Sequence, residues 1–291
     1  MVSSDGDASP TTQVSEEDRP FQHYSRKHTI VAWISQSLFD RFTYTVRHGL
    51  NHGMKRKGGL GWVPLASGAV ETLEERFWRS LDLKGLVVYD VGAFQGSLTM
   101  FFASRCAHVV SYEPNSINHT RLLENLRLNA LNNVTVRKLG VGASSGSGDL
   151  VFMPLMTGGG SLEPKTVDQL KKSGAEVESE RIQITTIDQD ITEVGLPRPD
   201  FLKIDIEGLE LEALKGAAKT LAACRPSLFL EMHGETLREK RRKVTEIVDW
   251  LAKVGYADVL HVETGTPITI ANATVAIEGH LYCPSASSSG H

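Results

Sequence analysis

The sequence predicts an α/β fold whose core is a doubly wound, mostly parallel sheet. From about residue 86 onward, short apolar runs that favour strands alternate with segments of helical periodicity. Two of these runs, 87–91 and 201–204, lead directly into an acidic residue and a glycine. Helices that connect parallel strands bring the carboxyl ends of those strands to one edge of the sheet. We therefore expect a ligand site at that edge.

The predicted elements follow one another with short connections. Core strands are expected at 87–91, 108–112, 134–139, 201–204 and 228–231, with helices at 97–104, 115–129, 209–222 and 244–254. Further short strands are expected near Val259 and Leu281. Segments 150–153 and 182–186 resemble a hairpin around an irregular excursion. The glycines at 158–160 in that excursion are typical of either a mobile lid or a plain flexible loop.

The N-terminal part has a different composition. Residues 1–28 are polar and acidic and are predicted to be disordered, as is the serine-rich tail at 285–291. In the predicted helical extension, 29–80, apolar side chains recur at every fourth position from Ile30 to Leu50, and a second helix is expected at 71–80. Residues 30–57 then form either a helix that contacts a membrane surface or partner, or one packed on the main domain, which we favour. The main domain is predicted to span 81–284.

Composition excludes several classes of protein. The net charge of −4 argues against general affinity for nucleic acids. The three cysteines are widely separated and show no C-x-x-C spacing, which favours reduced thiols. We find neither an apolar run of about 20 residues, as a membrane span needs, nor a secretory signal pattern. These observations predict a cytoplasmic protein without a transmembrane segment, and they do not indicate an oligomeric state.

The run that ends at Asp90 carries the first chemical signal. Glycines at 92 and 96 form a G-x-x-x-G turn, and a helix is expected to begin after it. Glycine lets a backbone approach a ligand closely, and a helix N-terminus favours an anionic group. The dinucleotide pattern G-x-G-x-x-G is absent from this turn, so S-adenosylmethionine is the better candidate ligand. Asp90, Gly92, Ala93 and Gly96 are the predicted contacts, although Asp90 is nearly as well explained by a structural role.

The next core strand ends at Glu113 and Pro114, and both are expected to contact the cofactor. An acidic side chain at this position can accept hydrogen bonds from both hydroxyls of a ribose. The alternative is a carboxylate that stabilises the following helix N-terminus, and we favour the ribose. After the third strand we expect a backbone contact to adenine near Val141 or Gly142, because no carboxylate is available there.

Polar side chains also follow the later strands. Asp205 is expected to contact the cofactor and to face the reacting centre. Glu207 is expected to cap the following helix, and Lys203 to be exposed or salt-bridged. Glu231 and His233 end the next strand, and His233 is a candidate general base because imidazole titrates near neutral pH. Asp205, Glu231 and His233 are an alternative ligand set for a divalent metal, which we do not favour.

Taken in order, the motifs DVGAFQG, SYEPN, PDFLKIDIEGLELEALKG and LFLEMHG resemble the FkbM-type family of S-adenosylmethionine-dependent methyltransferases. The resemblance implies the class I methyltransferase fold, a seven-stranded Rossmann-like sheet whose last strand is reversed. It also implies O-methylation of a hydroxyl on a sugar, glycan or natural product. By the same resemblance, Asp90, Gly92 and Gly96 form the glycine turn, Glu113 is the ribose acid, and Asp205 and Glu207 are the acidic pair.

We therefore expect a methyltransferase that acts on a small-molecule or glycan hydroxyl, with His233 as base and Asp205 and Glu231 orienting the hydroxyl or the imidazole. Two alternatives stay open. The first is a metal-assisted O-methyltransferase of a small molecule, and the second is a non-catalytic binding or scaffold protein that retains the fold.

Overall fold

The computed structural model describes residues 15–18, 42–58, 71–154, 156–172 and 176–285. The first half of this part contains β1 (Tyr44–Thr45), β2 (Lys55–Arg56), α1 (Leu73–Ser80), β3 (Val87–Val91), α2 (Ser97–Ala103), β4 (His108–Tyr112), α3 (Ser116–Leu128), β5 (Val134–Arg137), β6 (Gly140–Val141), β7 (Gly146–Met153) and β8 (Met156–Ser161). The second half contains α4 (Pro164–Lys172), β9 (Glu178–Thr185), α5 (Ile187–Val194), β10 (Phe201–Ile204), α6 (Glu210–Lys215), α7 (Ala218–Cys224), β11 (Ser227–Glu231), α8 (Leu237–Lys253), β12 (Leu260–His261) and β13 (His280–Cys283).

Seven strands form the main sheet, in the order β12-β13-β11-β10-β3-β4-β5. The pairs within β11-β10-β3-β4-β5 are all parallel. Strand β13 runs antiparallel to both β11 and β12. The prediction of an α/β fold with a seven-stranded sheet is thus confirmed, and the carboxyl ends of β3, β4, β10 and β11 meet at one edge.

Apolar side chains cover the sheet on both faces, because successive residues of a strand point to opposite sides. Tyr89 and Val91 of β3 belong to a core that includes buried residues of α6, α7 and α8. Val88, between them in sequence, packs instead in a cluster with Trp78 of α1 and Phe101 of α2. A third cluster joins α2 to α3 beside the turn that follows β3. The site edge therefore rests on rigid, packed elements.

A second sheet, in the order β6-β9-β7-β8, is formed by the part of the chain between β5 and β10. Its antiparallel pairing of β7 with β9 confirms the predicted hairpin pair. The glycines at 158–160, expected in a lid or loop, instead belong to strand β8, which pairs with β7. A Cβ added to Gly160 would lie 3.1 Å from Cβ of Phe152, so a small residue suits this close strand contact.

The predicted helix from Ile30 to Leu50 is wrong in the part that the structure describes. Residues 42–50 hold strand β1, which pairs with β2, and the rest of the predicted helix lies outside the described residues. A spacing of four fits a strand, whose period is two, as well as a helix. Gly49 and Gly53 adopt φ of +81° and +86°, which ends any helix there. The described part of residues 30–57 therefore contains no helix that could contact a membrane surface or a partner.

Other predictions need smaller adjustments. The single helix expected at 209–222 is divided into α6 and α7, and the helix expected at 244–254 begins earlier, at Leu237. Of the N-terminal segment predicted to be disordered, residues 15–18 are described and contain a 3-10 turn that pairs with Arg238 and Arg241 of α8. The rest of that segment and most of the predicted tail lie outside the described residues. None of the described helices is both long and apolar enough to cross a bilayer.

Candidate active site

The turn after β3 contains two positions where the backbone and its surroundings require glycine. Gly92 and Gly96 adopt φ of +81° and +86°, in the left-handed region. A Cβ at Gly92 would overlap the carbonyl oxygen of Asp205, and one at Gly96 would overlap the side chain of Leu122. Both glycines are thus required by packing within the protein. The turn is consequently held against the end of β10, beside the acidic residues there.

Glu113, at the end of β4, closes this turn from the other side. Its carboxylate accepts the backbone N–H of Phe94 at 2.8 Å and that of Asn115 at 2.9 Å. The side chain is buried, and burial raises the pKa of Glu113 to about 7 although both backbone bonds lower it. A carboxylate with spare lone pairs in such a place favours ligands that bring further hydrogen-bond donors.

A cavity of about 310 Å³ opens between the turn, Glu113 and the second sheet. This volume lies at the lower end of the range for small-molecule sites. Of the predicted cofactor contacts, Gly92, Glu113, Pro114 and Asp205 line it. The other lining residues are mostly apolar and come from several elements. The polar ones are Asn115, Asn118, Thr157 and Glu207. The remaining ones are Val91, Phe94, Tyr112, Leu139, Gly140, Val141, Leu150, Gly160, Leu162, Ile206 and Leu209.

Asp90, Ala93, Gly96 and Gly142 are not among the described residues that line this cavity. Ala93 and Gly96 belong to the glycine turn, of which Gly92 lines the cavity. The N–H of Gly142 donates to the carbonyl of Thr185 at 3.0 Å, whereas Val141, the other position expected for a backbone contact, lies at the cavity together with Gly140. The structure therefore brings part of the predicted cofactor set together and leaves the remainder in supporting positions.

Asp90 is fully buried and pairs inside the protein. Its Oδ2 accepts a hydrogen bond from the Thr99 hydroxyl at 2.5 Å, and its Oδ1 lies 3.3 Å from Nζ of Lys203. The same Nζ lies 3.2 Å from Asp205 and donates to the carbonyl of Gly92 at 2.8 Å. Burial would lower the pKa of Lys203, but the charges of Asp205 and Asp90 outweigh it and raise that pKa. The salt-bridged alternative for Lys203 is confirmed, and this ammonium joins the ends of β3 and β10.

A second polar group surrounds His233, just beyond β11. Its Nδ1 donates to Glu210 at 2.9 Å. Its Nε2 faces three further carboxylates, at 3.7 Å from Asp205 and at 3.6 Å from both Glu207 and Glu231. The structure thus brings together all three predicted catalytic residues, Asp205, Glu231 and His233.

These contacts determine the protonation states of His233, Asp205 and Glu207. Burial would lower the pKa of His233, but the bond to Glu210 and the surrounding carboxylates raise it to about 10. Burial would raise the pKa of Asp205, but Lys203 and His233 hold it below its usual value. Burial raises the pKa of Glu207 to about 7. In the ligand-free protein the imidazole is therefore protonated at neutral pH, which does not suit a base until this proton has left.

The structure shows no side-chain cap on α6, where Glu207 was expected to provide one. Oε1 of Glu210, the first residue of α6, accepts the N–H of Gly208, just before the helix, at 2.9 Å. Glu207, the predicted cap, has a positive φ of 54° and turns its carboxylate to His233 and the cavity. Sequence reasoning did not single out Glu210, because an acidic residue in the first turn of a helix is common.

Asp205, Glu231 and His233 also fit a divalent cation. One ligand atom from each lies within 4.8 Å of those of the other two. Carboxylate oxygens and a neutral imidazole are ligands for divalent metals, and a bound ion would replace the imidazole proton. The chemistry of this donor set is therefore compatible with a metal that orients and polarises a hydroxyl.

Comparison with known proteins places the chain in a family. Residues 90–257, more than half of the chain, match the methyltransferase FkbM domain. Methyltransferase sdnD of Sordaria araneosa is 29% identical over 44% of this chain and 59% of its own length. The hexuronic acid methyltransferase AglP of Haloferax volcanii is 30% identical over 56% of this chain and 69% of its own length. The chain thus spans about three fifths of sdnD.

Among solved structures, the methyltransferase FkbM from Methylobacillus flagellatus KT is 20% identical, with a TM-score of 0.44. The match covers 68% of this chain and 43% of that one. On the extent of the domain match, which includes the glycine turn, Glu113, Asp205, Glu231 and His233, the chain belongs to the methyltransferase FkbM domain family.

Proposed function

We propose that the chain is an S-adenosylmethionine-dependent methyltransferase of class I fold that methylates a hydroxyl group. The family supports methyl transfer. The sheet order, with five neighbouring parallel strands and a reversed β13, supports the class I fold. The observation that carries the choice of cofactor is Glu113. It is a buried carboxylate at a cavity, next to a glycine turn, where the ribose hydroxyls of the cofactor would donate to it.

The reaction requires alignment more than charge stabilisation. The bound cofactor supplies an electrophilic methyl group on a sulfonium. The residues at the cavity would therefore have to align an acceptor hydroxyl with that methyl group and provide a group that takes the hydroxyl proton. Asp205 and Glu207 lie both at the cavity and beside His233, so they connect the cofactor site with the polar group. In this proposal, Asp205 and Glu231 orient the hydroxyl or the imidazole, and His233 accepts the hydroxyl proton after it has released its own proton to solvent.

The acceptor is proposed to be a sugar, glycan or natural-product hydroxyl. The name of one relative, a hexuronic acid methyltransferase, supports a sugar acceptor. The net charge of −4 gives no support for a nucleic acid acceptor. A cytoplasmic location stays a prediction from the sequence.

Calorimetric titration with S-adenosylhomocysteine tests the cofactor directly. We expect the wild-type protein to bind it and Glu113→Ala to lose at least tenfold in affinity, since a buried acceptor of two hydroxyl bonds is removed. Glu246→Gln on the exposed face of α8 is the matched control and should bind as wild type does. Absence of binding by the wild-type protein would support the non-catalytic scaffold and contradict the enzyme.

A metal-assisted reaction is the second candidate, because Asp205, Glu231 and His233 converge on one point. Metal binding would be measured by titrating the chelated protein with Mg²⁺ or Mn²⁺ and following heat and thermal stability. Binding by wild type that Glu231→Gln abolishes would support this version. Full activity in excess chelator, with no ion bound, would exclude it.

A further inference from the structure

Two walls of the cavity come from distant parts of the chain. One wall is formed by β8 and the residue that follows it, with Thr157, Gly160 and Leu162 at the cavity. The other is the turn after β10, where Ile206 and Glu207 line the cavity. Among the described strands β8 pairs with β7 alone, and three of its six residues are glycines, which have no side chains that could pack. The shape of the cavity therefore depends on what fastens β8 to the main domain.

An ion pair joins the two walls from outside the cavity. Both carboxylate oxygens of Glu163, which follows β8, lie 2.8 Å from Nζ of Lys243 in α8. The side chains of Lys243 and Glu163 are only 10% and 13% exposed, so water and salt screen their attraction little. Neither residue is among the described residues that line the cavity.

This ion pair lies against the turn after β10. A Cβ added to Gly208 would lie 2.6 Å from Nζ of Lys243 and 2.7 Å from Oε2 of Glu163. Oγ of Ser161 accepts the N–H of Glu163 at 3.0 Å and donates to the carbonyl of Glu207 at 3.2 Å. Glu207 has a φ of 54°, which a residue other than glycine keeps only where its surroundings hold it. The end of β8 and α8 together provide such surroundings.

The other end of β8 is fastened to α3. The hydroxyl of Thr157 donates to Oδ1 of Asn118 at 2.7 Å, and Nδ2 of Asn118 donates to the carbonyl of Thr157 at 3.2 Å. Both of these residues line the cavity, so changing them would also change the surface that a ligand contacts. The ion pair of Glu163 and Lys243, in contrast, can be removed without altering a lining residue.

We infer that Glu163 and Lys243 are positioning residues: their ion pair holds β8 and the turn after β10 together as walls of the cofactor cavity, and it thereby slows release of the cofactor. The identity of the ligand in this inference rests on the proposed function. Since neither residue touches the cavity, the pair acts through Leu162 and Glu207, which do. Differences in affinity between related sites arise mostly from the dissociation rate, so the effect should be found there.

Hydrogen exchange in the ligand-free protein tests the structural part of the inference. Lys243→Met and Glu163→Gln each remove the ion pair. We expect the amides of β8 and of residues 206–208 to exchange about tenfold faster in either variant, while those of β3 and β10 keep their wild-type rates. Arg242→Met is the matched control, because it breaks an exposed pair with Glu246 on the same helix and should leave all these rates unchanged.

Stopped-flow measurement of S-adenosylhomocysteine release tests the functional part. We expect release to be about tenfold faster in either single variant, and no faster in the double variant, because both changes remove one and the same pair. The exchanged pair Glu163→Lys/Lys243→Glu should release the ligand more slowly than either single variant. Asn133→Ser is the stability control: it loses the bond from Nδ2 to the carbonyl of Ala103, so it should unfold at a lower temperature and keep the wild-type release rate.

Wild-type rates of β8 exchange and of ligand release in both single variants would overturn the inference. Effects that add up in the double variant would overturn it too, because the two side chains would then act separately. Wild-type protein that does not bind S-adenosylhomocysteine would instead contradict the proposed function, and hydrogen exchange would still decide whether the ion pair holds β8.

Discussion

The backbone N–H of Phe94 donates to Oε2 of Glu113 over 2.8 Å. This bond ties the glycine turn after β3 to the acidic end of β4, so the two parts of the proposed cofactor site have a fixed separation before any ligand binds. A site that is ordered in advance loses little entropy on binding.

Affinity for the cofactor product should depend on pH through Glu113. Ribose hydroxyls donate to the ionised carboxylate, and its pKa is about 7 in the ligand-free protein. Ligand binding must therefore expel a proton below that value, and affinity falls as the pH falls. We expect S-adenosylhomocysteine to bind about tenfold more weakly at about pH 6 than at about pH 8, as measured by calorimetry.

Glu207 shares this pKa and also lines the cavity, so it provides the control. Glu113→Gln should flatten the pH dependence, and Glu207→Gln should retain it. A flat profile in wild type would contradict the ribose role of Glu113.

Gly92→Ala should destabilise the fold far more than Gly85→Ala. Both glycines have a positive φ, but an added Cβ would overlap Asp205 at position 92 and meets nothing within 4 Å at position 85. Positive φ alone costs about 1 kcal/mol for alanine, and overpacking adds about 1–3 kcal/mol at position 92. Urea denaturation would give both values, and equal losses would show that the approach of β3 to β10 is not required.

Lys203→Met should lower the free energy of unfolding by about 3–5 kcal/mol, because it leaves the buried carboxylate of Asp90 without its cation. The double variant Lys203→Met/Asp90→Asn should recover part of that loss. Arg181→Ala is the control, since its pair with Asp149 is exposed and is worth at most about 1 kcal/mol. A loss at Lys203 no larger than at Arg181 would refute the buried pair.

His233→Ala should reduce turnover by about a hundredfold or more while changing the affinity for S-adenosylhomocysteine by less than about threefold. The reason is its position: His233 contacts the carboxylates of the rim and is not among the described residues lining the cavity. Steady-state kinetics combined with calorimetry would check this. Parallel losses of turnover and affinity would assign His233 a structural role.

The sequence allowed the main sheet to be predicted because its strands are short apolar runs that end in polar residues. Val87–Val91 and His108–Tyr112 have the expected bounds. The hairpin of β1 and β2 was not predicted, because Phe42, Val46 and Leu50 repeat at a spacing that suits both periods. Strand β8 was missed because its glycines indicate a loop, and only tertiary pairing makes them a strand.

For the site, local patterns identified Glu113, Asp205, Glu231 and His233, since each lies at the carboxyl end of a predicted strand. The partners of these residues were harder to find. The bond from His233 to Glu210 spans 23 positions, and it sets a protonation state that no local pattern indicates.

A crystal structure with S-adenosylhomocysteine would test the central claim most directly. The account predicts both ribose hydroxyls within about 3 Å of the Glu113 carboxylate, with the ligand sulfur on the side of Asp205. A ligand bound elsewhere, or a ribose that does not contact Glu113, would contradict it.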